Sequence, residues 1–207
     1  MPTGGCSSSL SDTCEAGRVT SSDHSSPDRD ELTEALRIAQ RLGVISAQDL
    51  DAEIDHCSGF TTCVPRGTSR LVDLGSGGGL PGLVIAVMRP DISITLVERR
   101  EKRADVLRRQ VARLGIESQV TVECADIDHH RASSILSGDF DTVTARSFGT
   151  PLQTAVAATH YLRDHGTLLV SEPPNSSGER WREVGPTTGL HLIRVESGIA
   201  MLTKNPI

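Results

Sequence analysis

The chain has 207 residues and a formal net charge of -6, with 37% hydrophobic and only 2% aromatic side chains. So few aromatic residues exclude a sheet surface that stacks RNA bases, and the acidic balance disfavours broad nonspecific binding to nucleic acids. No run approaches the roughly 18 apolar residues needed to cross a bilayer, and the N-terminal segment lacks the apolar core of a signal peptide. We therefore expect a cytoplasmic protein that does not enter a membrane.

The N-terminal third differs in character from the rest of the chain. Residues 1–29 are rich in Ser, Gly, Thr, Asp and Pro without apolar periodicity, which predicts a disordered tail. Apolar residues recur at helical spacing over residues 30–42, which predicts a first helix. A second helix is predicted from Ser46, whose hydroxyl can cap backbone amides, towards Gly59. Residues 30–69 would then form a helical appendage.

Beyond this appendage, short apolar runs alternate with longer amphipathic segments. The predicted strands are 70–74, 92–98, 119–124, 140–145 and 166–171. The predicted helices are 81–89, 100–114, 126–136 and 150–163. This alternation of strand and helix predicts an α/β fold, in which helices cover both faces of a parallel sheet.

The end of the chain breaks this alternation. The segments LHLIRVE and IAMLTK are separated only by Ser197 and Gly198, which is typical of a hairpin. The final strand must therefore run antiparallel to its neighbour. Residues 70–207 are predicted to form one domain, with a mostly parallel sheet of seven strands and an antiparallel last strand.

The most informative stretch is LVDLGSGGGLPG, residues 71–82, in which a strand ends in Asp73 and meets a run of glycines. Glycines allow a ligand to touch the backbone, and the amides of the following helix point towards the loop. A dinucleotide pattern G-x-G-x-x-G can be read from Gly77, but it begins well beyond the strand and leaves the acid without a role. The pattern D-x-G-x-G-x-G from Asp73 to Gly79 accounts for the acid as well.

That second pattern is the signature of class I S-adenosylmethionine (SAM)-dependent methyltransferases, whose cofactor has a cationic amino acid end. Two further acids follow the next strands: Glu98 is placed to accept both ribose hydroxyls, and Asp126 to hold the adenine amino group. Both could instead only cap the helices that follow them. The predicted cofactor-binding residues are Asp73, Gly75, Ser76, Gly77, Gly79, Leu80, Glu98, Ala125 and Asp126.

Two longer sequence runs resemble one particular family of these methyltransferases. The run VDLGSGGGLPGLVIAVMRPDISITLVERREKRADVLR and the later FDTVTARSF resemble the 16S ribosomal RNA guanine-N7 methyltransferases, the glucose-inhibited division protein B (GidB) family. The resemblance covers about residues 70–150. It implies a class I methyltransferase that uses SAM, acts on ribosomal RNA or the small ribosomal subunit, and is a monomer.

The chain also departs from the family pattern. The family carries an Asn-Leu-Thr segment before the glycine loop and a lysine and glycine after the fifth strand. This chain has neither, and residues 171–174 read Ser-Glu-Pro-Pro. Two alternatives therefore stay open: a methyltransferase for another nucleic acid or a small molecule, and a noncatalytic SAM-binding module.

Guanine N7 carries a lone pair and no proton, so its methylation needs orientation rather than a general base. Arg146, after the fourth strand, is the predicted catalytic and substrate-binding residue, because its planar fork can hold a phosphate or a guanine edge. Phe148, Lys102 and Arg103 are the other predicted substrate contacts. Arg146 could alternatively form an ion pair with a loop acid, Phe148 could be a core residue, and the basic helix that holds Lys102 and Arg103 could be a solvated face.

The cysteines and histidines do not form a recognised metal site. Five cysteines without CxxC spacing fit neither a disulfide framework nor a common zinc module. His129 and His130 are neighbours in sequence, and on a helix such side chains point in different directions. We therefore expect reduced thiols and no bound metal.

Overall fold

The computed structural model describes residues 27–127 and 138–206. Most of the predicted tail, most of the predicted helix 126–136, and His129 with His130 lie outside the described residues. Among the residues that are described, no helix is both long and apolar enough to span a membrane.

Fourteen helices and strands are named here for the described residues. The helices are α1 (Arg29–Arg41), α2 (Leu50–Cys63), α3 (Gly82–Met88), α4 (Glu101–Leu114), α5 (Pro151–Tyr161), α6 (Glu179–Arg182) and α7 (Gly185–Thr188). The strands are β1 (Arg70–Leu74), β2 (Ser93–Glu98), β3 (Val120–Cys124), β4 (Phe140–Ala145), β5 (Leu162–Ser171), β6 (Leu190–Glu196) and β7 (Ile199–Lys204). The predicted strands match these bounds within one residue, except that β5 begins four residues earlier than predicted.

The seven strands form one sheet in the order β3-β2-β1-β4-β5-β7-β6. The five strands from β3 to β5 run parallel, whereas β7 is antiparallel to both β5 and β6. The predicted fold class, with its antiparallel last strand, is therefore confirmed. Strand order reverses between β1 and β4, and in open α/β sheets ligands bind at such a reversal, beyond the carboxyl ends of the strands.

Each face of the sheet carries its own hydrophobic core. Neighbouring residues of β1 point to opposite faces, so Leu71 belongs to one core and Val72 to the other. The first core is covered by α1 to α4, and the second by α5 and α6. Because α1 and α2 contribute fully buried side chains such as Leu36 and Phe60, the predicted helical appendage shares its core with the sheet.

The two N-terminal helices begin at positions other than those predicted. α1 starts at Arg29, inside the predicted tail, because Asp28 and Glu31 form a capping box. α2 starts at Leu50 rather than near Ser46, since the Asp49 side chain accepts the hydrogen bond of the Ala52 amide. α2 also continues past Gly59 as far as Cys63. A Cβ atom at that glycine would lie 3.5 Å from Ser197, so the glycine allows close packing against the turn between β6 and β7.

Candidate functional site

The register of the sheet places Asp73 at the strand reversal. Asp73 of β1 pairs with Leu96 of β2 on one side and with Thr144 of β4 on the other. The Thr144 hydroxyl donates a 2.8 Å hydrogen bond to Oδ1 of Asp73. Oδ2 of Asp73 is buried beside Gly82, the first residue of α3. Burial raises the pKa of this carboxyl to about 6, and the hydrogen bond from Thr144 limits the rise.

Backbone hydrogen bonds hold both ends of the glycine loop after β1. The amides of Gly75 and Ser76 both donate to the Val97 carbonyl of β2, at 2.9 and 3.0 Å, and the Gly79 amide donates to Ser76 at 2.7 Å. Gly75 has a φ of +71°. A Cβ atom there would lie 2.9 Å from Cδ2 of Phe148, so only glycine permits this close approach.

Glu98, at the end of β2, connects the glycine loop to α4. One carboxylate oxygen accepts the Gly77 amide at 3.1 Å, and the other accepts the Arg100 amide at 2.8 Å. The residue is 4% exposed. Glu98 thus contacts the residue before α4 as well as the glycine loop, and an ionised carboxylate has about four lone-pair sites, so it retains capacity for a ligand.

A cavity of about 580 Å³, here called the first cavity, lies at the carboxyl ends of β1, β2 and β3. The predicted site residues that line it are Gly75, Glu98, Arg103, Ala125, Asp126 and Phe148. Ser76 and Leu80 are buried in the loop, and Lys102 is exposed. The predicted residues outside the lining are Asp73, Ser76, Gly77, Gly79, Leu80, Lys102 and Arg146.

The opposite wall of the first cavity comes from α5, a helix that was not predicted from the sequence to be part of the site. Leu152, Gln153 and Val156 lie on this wall. The spacing of Leu152 and Val156 is the sequence signal that could have indicated this wall. The two residues are four positions apart, so they lie on one side of α5, beside the buried stripe that includes Ala155 and Ala158. Leu152 remains 48% exposed, which is unusual for a large apolar residue of a core helix.

Arg146 lies after β4 and forms an ion pair with Glu53 of α2. The same guanidinium nitrogen lies 3.5 Å from the sulfur of Cys57, and burial raises the pKa of that thiol to about 11. The partner is an acid of the N-terminal helices, 93 residues away, rather than a loop acid. Arg146 also lies close enough to Asp73 to favour its charged form.

The basic helix α4 is partly neutralised by its own acids. Arg108 forms ion pairs with Glu101 at 2.9 Å and with Asp105 at 2.7 Å. On the opposite side Leu107 and Val111 are buried, as the helical spacing predicts. The basic side chains in the middle of α4 therefore form a solvated face. Arg103, near the start of the helix, lines the first cavity instead.

A smaller cavity of about 250 Å³, here called the second cavity, lies beyond β4 and β5. It shares Ser147, Phe148 and Gly149 with the first cavity, so the loop after β4 separates the two. Its far wall includes Arg180 and Trp181 of α6. Neither residue was predicted from the sequence to belong to a site.

The strand order and the glycine loop at the strand reversal define the class I fold of SAM-dependent methyltransferases. Within that class, the family model described as GidB, rRNA small subunit methyltransferase G, matches residues 51–178. The chain belongs to this family, as its sequence motifs predict.

Relatives named ribosomal RNA small subunit methyltransferase G support this placement. The one from Acidothermus cellulolyticus is 33% identical over 173 residues, which is 80% of this chain and 71% of the relative. The one from Sorangium cellulosum is 40% identical over 102 residues, or 49% of this chain. That match spans only 42% of the Sorangium protein, and a match to the Rhizorhabdus wittichii relative spans 44% of that protein.

Solved structures show the same fold. A SAM-dependent O-methyltransferase from Thermotoga maritima superposes with a TM-score of 0.59 at 14% identity, covering 84% of this chain and 72% of that chain. A cofactor-bound protein from MTB superposes with a TM-score of 0.62 at 17% identity, covering 86% of this chain and 92% of that chain. At these identities the likeness concerns the fold alone.

Proposed function

We propose that this chain is a SAM-dependent methyltransferase that methylates N7 of a guanine in 16S ribosomal RNA, in the cytoplasm and as a monomer. The observation that carries the proposal is the first cavity, which brings Gly75, Glu98, Ala125 and Asp126 together beside Phe148 at the strand reversal. Membership of the rRNA methyltransferase G family supports the choice of RNA as substrate.

The residues present fit the proposed cofactor. Asp73 is a buried acidic residue directly before the glycine loop, and it would hold the ammonium group of the cofactor directly or through water. Glu98 would accept the ribose hydroxyls in addition to its two amides, and Asp126 with Ala125 would hold the adenine edge. When bound, SAM supplies a methyl group attached to a positively charged sulfur.

The protein's part in the reaction is to orient the acceptor. Guanine N7 presents a lone pair without a proton, so no side chain has to remove one. Holding that nitrogen in line with the methyl group can contribute roughly 7 to 11 kcal/mol. Phe148 lies between the two cavities and can exclude water there, while Arg146 would hold a phosphate or a guanine edge once RNA competes with Glu53.

The direct test is to incubate the protein with SAM carrying a labelled methyl group and with small ribosomal subunits lacking N7-methylguanine. Label should enter 16S RNA at one guanine, which cleavage at N7-methylated positions identifies. The matched controls are free 16S RNA and the large ribosomal subunit.

Two outcomes contradict the proposal in different ways. Tight binding of NADH without binding of SAM or S-adenosylhomocysteine would overturn the methyltransferase assignment. Binding of SAM without transfer to any RNA would favour the noncatalytic module or a small-molecule acceptor.

A further inference from the structure

The second cavity is walled by an unusual buried carboxylate. The side chain of Glu172, directly after β5, is completely buried. It accepts hydrogen bonds from the Trp181 indole, from the Ser176 hydroxyl and, at 2.6 Å, from Nε of Arg180. A buried carboxylate needs such partners to offset its lost hydration. Glu172 therefore fixes both Arg180 and Trp181 against the end of the sheet.

Arg180 is held in place without using all its donors. Its Nη2 donates to the Ser171 carbonyl at 2.9 Å, and its guanidinium lies 5.3 Å from the centre of the Trp181 ring. Nη1 donates no hydrogen bond to another described residue. The Arg180 side chain is 43% exposed, whereas the Glu172 side chain that holds it is fully buried. The result is a preorganised guanidinium with free N–H groups at the cavity wall.

Ser171 lies in the same wall of the second cavity. Oγ of Ser171 is buried and lacks a hydrogen-bond partner among the described residues. Because Ser147, Phe148 and Gly149 line both cavities, a base in the second cavity would lie next to a cofactor in the first.

We propose that the second cavity holds the acceptor guanine and that Arg180 is the residue that distinguishes it from adenine. The assignment rests on the proposed function for the position of the cofactor. Guanine presents O6 and N7 as two acceptors on one edge, so Arg180 can donate to O6 while N7 stays free for methylation. Adenine places an amino donor where O6 would be, and this donor would face the donors of Arg180. The site would then select guanine over adenine, because bound adenine would cover the N–H donors of Arg180 without offering them an acceptor.

The single tryptophan of the chain is the probe, because Trp181 lies in the wall of this cavity. Trp181 fluorescence is followed while GMP, IMP or AMP is added to the full chain in the presence of S-adenosylhomocysteine. GMP and IMP, which both carry O6, should bind at least about tenfold more tightly than AMP. IMP lacks the 2-amino group, so equal binding of IMP and GMP excludes that group and assigns recognition to the O6 and N1 edge that the two bases share.

Substitution of Arg180 should abolish this discrimination. Arg180→Ala is expected to reduce the ratio of AMP to GMP dissociation constants to about one, with the S-adenosylhomocysteine affinity unchanged within about twofold. Arg180→Lys keeps a charge beside Glu172 but loses the planar fork, so it should also lose the discrimination. Arg182→Ala is the matched control, since Arg182 is exposed on the same short helix.

The outcomes separate this assignment from the proposed function. Equal binding of GMP and AMP to the parental chain, or discrimination retained in both Arg180 variants, overturns the assignment. If the Arg180 variants lose discrimination but the parental chain transfers no methyl group to RNA, the proposed function fails and the guanine pocket stands.

Discussion

Replacing Arg146 by alanine should separate its role in binding RNA from its role in holding α2. The side chains of Arg146 and Glu53 are 22% and 31% exposed. Breaking a fully buried pair costs about 3 to 5 kcal/mol, and an exposed pair contributes about 0 to 1 kcal/mol. For this intermediate exposure we expect a loss of about 2 kcal/mol, or about 4 to 8 °C in melting temperature for a chain of this size.

The two partners should also be coupled. In a double-mutant cycle with Glu53→Ala, the coupling free energy should be about 1 to 2 kcal/mol, because each single change leaves the other charge partly buried. The matched control is Arg41→Ala, which removes a pair with Glu34 in which the arginine is 63% exposed. That control should change the free energy of unfolding by less than about 0.5 kcal/mol.

Activity gives the second measurement. Arg146→Ala should lower methyl transfer to RNA at least tenfold, about 1.4 kcal/mol of transition-state stabilisation, while calorimetry shows unchanged affinity for S-adenosylhomocysteine. Arg146→Lys should restore little transfer, since an ammonium cannot reproduce a bidentate fork. If alanine lowers stability and cofactor affinity together, Arg146 only braces α2. Transfer at the parental rate would refute its assignment to the acceptor side.

Three further outcomes are expected. Glu98→Ala should weaken S-adenosylhomocysteine binding at least about tenfold by calorimetry, because it removes charge-assisted hydrogen bonds worth roughly 1.5 to 3 kcal/mol each; an unchanged affinity would exclude a ribose contact. The raised pKa of Asp73, about 6, means that the folded state binds more protons than the unfolded state between about pH 4 and 6. The contribution of Asp73 to the free energy of unfolding should therefore fall as pH rises through that range. Urea titrations at several pH values should show this decrease for the parental chain and not for Asp73→Asn. A chain that begins at Asp30 should be about 1 kcal/mol less stable than one that begins at Pro27, since it loses the Asp28 cap; equal melting temperatures would contradict the capping box.

The strands and the glycine loop could be predicted because their signals are local. β1 and β4 have the predicted bounds, since a buried parallel strand is a short apolar run between breaking residues. The start of α2 could not be predicted as well, because Ser46 and Asp49 are both good capping residues and tertiary packing decides between them.

The site was predicted less completely, because many of its contacts join distant parts of the chain. The glycine loop and Glu98 follow from one contiguous motif, and the structure brings them together. The pairing of Arg146 with Glu53 spans 93 residues and has no sequence signal. Arg180 was missed for a different reason: its partner Glu172 was seen only as a departure from the family pattern, and its burial is visible only in the fold.

The anchoring of α6 by Glu172 has a consequence for how such proteins diversify. α6 has four residues, too few for a helix to be stable by itself, so its position depends on the packing of Trp181 in the second core and on the bonds that Arg180 and Trp181 make to one carboxylate. None of those bonds involves the glycine loop. In the acceptor site proposed above, mutations between residues 171 and 182 would therefore change which molecule is accepted without altering the glycine loop. Substitutions in one short segment would then be enough to change the acceptor.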